Sequence, residues 1–164
     1  MRASRGRVDA AGNVVTYAGA LGQAGTADGP IATARLTNPT GVAFGPDGAL
    51  FIADRGSIRR VSPDGASIST VYTPVGAAAG SYLAVDSDGT IYLGGSSGGL
   101  FARGLYSLAA GASTATLLVG YDSAGPVLGS MPAARVNDID ALTLAGPKQL
   151  VVLTGGQIVK VTLP

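Results

Sequence analysis

The sequence predicts an all-β protein built from short antiparallel meanders, and three observations carry that prediction. The first is an internal repeat: residues 24–61, moved forward by 100 positions, fall without a gap on 124–161, keeping Gly25/Gly125, Ala34/Ala134, Arg35/Arg135, Leu50/Leu150, Gly56/Gly156, Ile58/Ile158 and Val61/Val161. The second is the spacing of turn signals, Pro46-Asp47-Gly48, Pro63-Asp64-Gly65 and Asp86-Ser87-Asp88-Gly89, between runs of four to eight β-branched, aliphatic and aromatic residues. The third is composition. Of 164 residues 46% are apolar, 13% are charged and 26 are Gly, which excludes a charged disordered chain and suits many short buried strands joined by tight turns.

Each element follows in order. The segment 7–19 aligns with 60–72 through Arg7/Arg60, Val8/Val61 and Gly12/Gly65, an offset of 53, so the chain begins at the end of one strand and turns into the next, a strand D over 12–18. Residues 19–40 show neither a period of 2 nor one of 3.6 and read as a long connection. A complete repeat spans 41–73: strand A at 41–44, B at 49–54, C at 57–62 and D at 66–73. Pro presets φ in its turns and Gly accepts a positive φ. A second repeat spans 81–119 and has its B–C hairpin enlarged by Ser96–Arg103. Strands A, B and C of a third repeat occupy 140–163. Leu50 and Ile52 point to one face of strand B, and Phe51 and Ala53 to the other. Both faces therefore need cover, and such meanders must stack on one another.

With the positions laid out, the run Ala18-Gly19, Asp28-Gly29, Ala34, Leu36, Pro39, Gly41-Val42-Ala43, Asp47-Gly48, Leu50, Ile52-Ala53-Asp54, Ile58, Arg59-Arg60-Val61 and Gly65 resembles a blade of the NHL-repeat β-propeller family. The other repeats keep the aliphatics and part of the turns but lack the Ala-Asp of strand B. The resemblance implies four-stranded blades arranged radially around a channel, with three blades' worth of strands in this single segment, 1–164. Propellers commonly have about four to eight blades. The complementary ends therefore lead us to expect a homodimer in which each N-terminal strand D completes the other chain's A-B-C to close a six-bladed ring, or else half of a longer propeller.

The chemistry is sparse. There is no His and no Cys, and all ten acidic residues are Asp, which removes imidazole bases, thiolates, His-ligated metals and Glu acids. The resemblance extends to propeller lyases and lactonases, but those depend on metal-binding His or Glu that this chain lacks. No catalytic residue, metal or cofactor is expected, and an enzyme would need residues outside this chain. Asp86-Ser87-Asp88 suggests a calcium loop, yet the roughly twelve-residue ligand series closed by Glu is missing. Asp47, Asp64, Asp86 and Asp88 read as turn stabilisers. A net charge of +1 and the lack of an aromatic-plus-basic stripe around Arg55, Arg59 and Arg60 argue against nucleic acid as partner. No run is long and apolar enough to enter a membrane, and no secretory signal is visible.

In an A-B-C-D meander the D–A and B–C connections emerge at one end. All the long segments, 19–40, 74–80, 95–104 and 120–138, are of this kind, so one end is elaborated for binding a protein, peptide or glycan. Candidate contact residues there are Leu100, Phe101 and Arg103 in the enlarged hairpin, with Asp54 and Arg55 at the end of strand B. For Leu100 and Phe101 the alternative is packing against a neighbouring blade or partner chain. For Asp54 it is pairing with Arg59 or nearby backbone. The expected function is a non-enzymatic binding scaffold.

Overall fold

The computed structural model describes residues 4–8, 10–73, 82–95, 104–121, 129 and 134–163. All regular elements there are strands, arranged in four sheets. Sheet I is the hairpin β1 (Ser4–Val8) and β2 (Val14–Gly19). Sheet II contains β3 (Gly29–Pro30), β4 (Pro39–Phe44), β5 (Leu50–Asp54), β6 (Ser57–Val61) and β7 (Ser67–Tyr72) in the order β3-β7-β6-β5-β4. Sheet III contains β8 (Tyr82–Val85), β9 (Ile91–Gly95), β10 (Gly104–Leu108), β11 (Thr116–Tyr121) and β12 (Arg135–Val136) in the order β12-β11-β10-β9-β8. Sheet IV is β13 (Ile139–Gly146), β14 (Gln149–Thr154) and β15 (Gln157–Thr162). The strands β4 to β7, β8 to β11 and β13 to β15 are antiparallel meanders, while β12 joins β11 in parallel.

Element boundaries follow the repeat. The offset of 53 carries β1 onto β6 and β2 onto β7 residue for residue, and the offset of 100 carries β13, β14 and β15 onto β4, β5 and β6. The register shift between Pro39 and Gly41 recurs between Ile139 and Ala141. The N-terminal strand D is thus paired with a strand C counterpart, β1, whose Ser-Arg-Gly-Arg-Val shows no apolar alternation. The two-residue strands β3 and β12 lie inside connections that carry no periodic signal. Too short to have a period, they form because the connection runs beside the outer strands β7 and β11.

The innermost strands β4, β8 and β13 lie side by side, β8 in the middle, so sheets II, III and IV fan out from a common axis. The core consists of the seams between sheets. Tyr17 and Ala18 of sheet I meet Leu50, Ile52, Val61 and Ile68 of sheet II, with Leu36 of the connection. The other face of sheet II, through Ala53 and Ile58, meets Leu83, Val85, Ile91 and Leu93 of sheet III. Ala84, Tyr92, Leu105 and Val119 on the far side of sheet III meet Ile139, Leu150 and Val152 of sheet IV. Apolar residues on both faces of each middle strand are what makes this stacking obligatory.

Candidate functional site

The long-connection end is best described around Arg59. Its side chain is 1% exposed at the centre of β6, and burying a guanidinium there requires partners on every side. Its Nη1 donates to the carbonyl of Arg35 at 3.0 Å and to Asp54 Oδ2 at 3.4 Å; its Nη2 donates to the carbonyl of Ala27 at 3.1 Å and to Asp28 Oδ1 at 2.6 Å. Nε finds no acceptor among the described residues. Asp54, the last residue of β5, is equally buried, and its carboxylate accepts the backbone N–H of Thr37 at 2.9 Å and of Asn38 at 2.6 Å. Asp28 also accepts from the N–H and hydroxyl of Thr70. Burial works against its charge, but the Thr70 and Arg59 hydrogen bonds outweigh that and hold its pKa below the ordinary carboxylate value. Together these bonds fasten the D–A connection to sheet II at Ala27, Asp28, Arg35, Thr37 and Asn38.

Asp54 is therefore buried in this network, and its neighbour Arg55 is exposed on the same turn. Arg55 and Gly56 form the two-residue β5–β6 turn with φ of 44° and 85°, and Arg55 carries a side chain in the left-handed region. At the matching turn of sheet IV the residues are Gly155 and Gly156. Leu100, Phe101 and Arg103 lie outside the described residues. Asp28 entered the sequence reading only as part of the family resemblance, and Thr37 and Asn38 not at all; the signal for Asp28 is that it is the single acidic residue of the connection 19–40, set opposite a buried arginine that needs an anion.

Sheet IV keeps this corner without its charge network. Asn137, Asp138 and Thr154 stand at the positions of Thr37, Asn38 and Asp54, and Val159 at that of Arg59. Asn137 Oδ1, Asp138 Oδ1 and Thr154 Oγ1 are buried without a hydrogen-bond partner among the described residues.

The opposite, short-turn end carries a cleft of about 490 Å³ between sheets II and III. Phe51, Val71, Ile91 and Leu108 give it apolar walls, and Asp47, paired with Arg60 at 2.5 Å, forms one lip. The described residues contain no group of three or more His, Cys, Asp or Glu suited to a metal ion, and no helix long and apolar enough to cross a membrane.

Comparison with known proteins bears on the whole arrangement. The family model of the teneurin NHL domain matches residues 20–103, just over half of the 164. No curated protein matches the sequence. Among solved structures, a structural genomics protein of unknown function from Bacteroides thetaiotaomicron VPI-5482 is similar with a TM-score of 0.59 at 18% identity, over 92% of this chain and 39% of that one. A structure described as a "putative gluconolactonase" is similar with a TM-score of 0.55 at 18% identity, over 94% of this chain and 43% of that one. These likenesses concern fold alone, and the chain spans about two fifths of the length of those two structures. The radial sheets, the repeat and the family match agree, and the chain belongs to the teneurin NHL-domain family of NHL-repeat β-propellers.

Proposed function

We propose that the chain is a non-enzymatic binding and scaffold module that presents its D–A and B–C connections to a protein, peptide or glycan and is completed by self-association. One observation carries the binding reading: Arg55 holds a costly left-handed backbone conformation, exposed, beside a connection fastened by buried charges, whereas at its counterpart Gly155 a Cβ would lie 2.7 Å from Asn137 Nδ2. Strain kept at an exposed position on a rigid support motivates a recognition role. Surfaces of this kind bind because their side chains are already placed, which lowers the ordering cost of association.

The test is binding of the purified chain to peptide and glycan arrays, compared with Arg55→Gly and with the Phe101→Ala/Arg103→Ala double variant. The reading expects ligands retained by the wild type and weakened at least tenfold in both variants. Unchanged binding in both would remove the assignment to this end of the fold. The rival reading, a fragment of a propeller hydrolase or lyase whose catalytic residues lie outside the chain, draws on the fold likeness to the "putative gluconolactonase". Acid release from gluconolactone, followed by pH-stat with and without calcium or zinc, should stay at the buffer rate for the 164-residue chain.

A further inference from the structure

The two outer ends of the sheet stack are halves of one kind of seam. On sheet IV, the face turned away from sheet III exposes Leu153 (39%) and Ile158 (77%), directly paired across β14 and β15. Their counterparts at an offset of 100 are Ala53 and Ile58, 2% and 3% exposed, the residues by which sheet II packs on sheet III. On sheet II, the face turned towards sheet I exposes Val42 (46%) and Phe44 (67%) on the innermost strand β4. Their counterparts are Leu142 and Leu144, which pack in the seam between sheets III and IV. Among the described residues sheet I consists only of strands matching β6 and β7, and none stands at the positions of β4 and β5, which leaves Val42 and Phe44 open. Sheet IV has strands at those two positions, β13 and β14.

We infer that the outer face of sheet IV docks on the open Val42/Phe44 face of sheet II in a second copy of this chain, with β13 and β14 filling the inner positions that the second copy's sheet I leaves vacant. This rests on the reading of the chain as a self-completing module and names the contact. Sheet IV of each copy then joins sheet I of the other. The four sheets per copy become three, and two copies close a ring of six with two identical seams. β15 and the other copy's β1 both correspond to β6, so one of the two gives up that position when the sheets join.

Side-chain sizes agree with this pairing. In the existing seams the residue at the Ala53 position is small and faces a large one. Ala53 shares its cluster with Leu83, and a Cβ on Gly94 would lie 2.7 Å from Ile139 Cδ1 and 3.1 Å from Leu142 Cδ2. In the inferred seam the large residue is Leu153, and the residues opposite are Val42 and Pro39, each smaller than its counterpart, Leu142 or Ile139. Volume lost on one side is restored on the other, as close packing requires. The occupant is a second copy because the two open faces belong to the same repeat, and Lys160, the charged residue beside Ile158 on the sheet IV face, stands at the position of Arg60 on the face by which sheet II packs on sheet III.

The chain has no cysteine, so introduced thiols report the contact directly. Val42→Cys and Leu153→Cys, made separately and mixed under mild oxidation, should yield a disulfide-linked heterodimer, while Leu153→Cys mixed with Val71→Cys, an exposed site on sheet II outside the inferred seam, should not. Within one chain sheet III separates the two faces, so the cross-link must be intermolecular. Light scattering of the wild type should give twice the chain mass, and Ile158→Lys, a change at an exposed position, should return it to the monomer with unchanged circular dichroism. A wild-type monomer at high concentration with no cross-link overturns the inference, and so does an open ladder of higher polymers. Array binding by a monomeric wild type would sink the seam and leave the binding reading standing; a dimer that binds nothing would do the reverse.

Discussion

Arg59 and Asp54, each with a side chain 1% exposed, meet at 3.4 Å under the D–A connection, and neither could be buried there alone. The pair is useful mainly for what it holds: Asp54 takes two backbone N–H groups of the connection and Arg59 two of its carbonyls. Removing one partner leaves the other charge buried without full compensation, which typically costs about 3–5 kcal/mol. Arg59→Met and Asp54→Ala should each lower the unfolding free energy by roughly that amount in urea titration. Losses below about 1 kcal/mol would mean that water reaches the pair.

At the neighbouring turn the direction reverses. Arg55 occupies φ of 44°, a region that costs an L-residue about 1–2 kcal/mol relative to glycine, and its exposed side chain returns no burial energy. Arg55→Gly should therefore stabilise the chain by about 1 kcal/mol, less the extra freedom glycine gains when unfolded. The same variant should lose array binding. Stability gained with binding lost is the combination expected where strain is kept for recognition.

The pH profile follows from the carboxylates. Asp28, Asp47, Asp64 and Asp86 all have pKa values lowered from the ordinary 3.8. For Asp47 the leading cause is the Arg60 hydrogen bond, for Asp64 the Ser62 hydroxyl, and for Asp86 the Ser87 N–H. A depressed folded-state pKa contributes stability that is complete above the unfolded value and lost as pH falls through the folded one. Tyr92 is shifted the other way, raised above 10.0 by burial and then by the charges of Asp86 and Asp88, so its contribution is lost on the alkaline side. No histidine or cysteine titrates between. Thermal melts should give a Tm that is level from about pH 5 to 9, falls below about pH 4 and falls again above about pH 10. A step near pH 6 to 7 would contradict this.

How much of this was legible in the sequence depends on the range of the interaction. Turns such as Pro46-Asp47-Gly48 and Pro63-Asp64-Gly65 are local, and their residue types state their φ requirements, so the strands on either side were readable. The N-terminal β1 was visible only through its offset from β6, because Ser-Arg-Gly-Arg-Val carries no alternation of its own. The anchoring of Asp28 to Arg59 spans 31 positions and a connection without periodicity, and a single acidic residue in that connection does not name its partner. The cleft beside Phe51 and Ile91 is likewise set by how two sheets diverge, a property of neither strand alone.

The two corners differ in how their buried polar groups are satisfied. Thr154 is fully buried at the position of Asp54, yet its Oγ1 has no partner among the described residues, so the folded chain bears the desolvation cost of a hydroxyl without recovering a hydrogen bond. Valine has nearly the same shape, and β14 favours β-branched residues. Thr154→Val should leave the chain as stable as before or raise its unfolding free energy by up to about 1 kcal/mol, with an unchanged m-value in urea titration. The same substitution at a satisfied threonine costs stability, because a hydrogen bond is then lost along with the hydroxyl. A drop of more than about 1 kcal/mol would show that the Thr154 hydroxyl is paired in solution, and the corner formed by Asn137, Asp138 and Thr154 would then be a bonded network like its counterpart in sheet II.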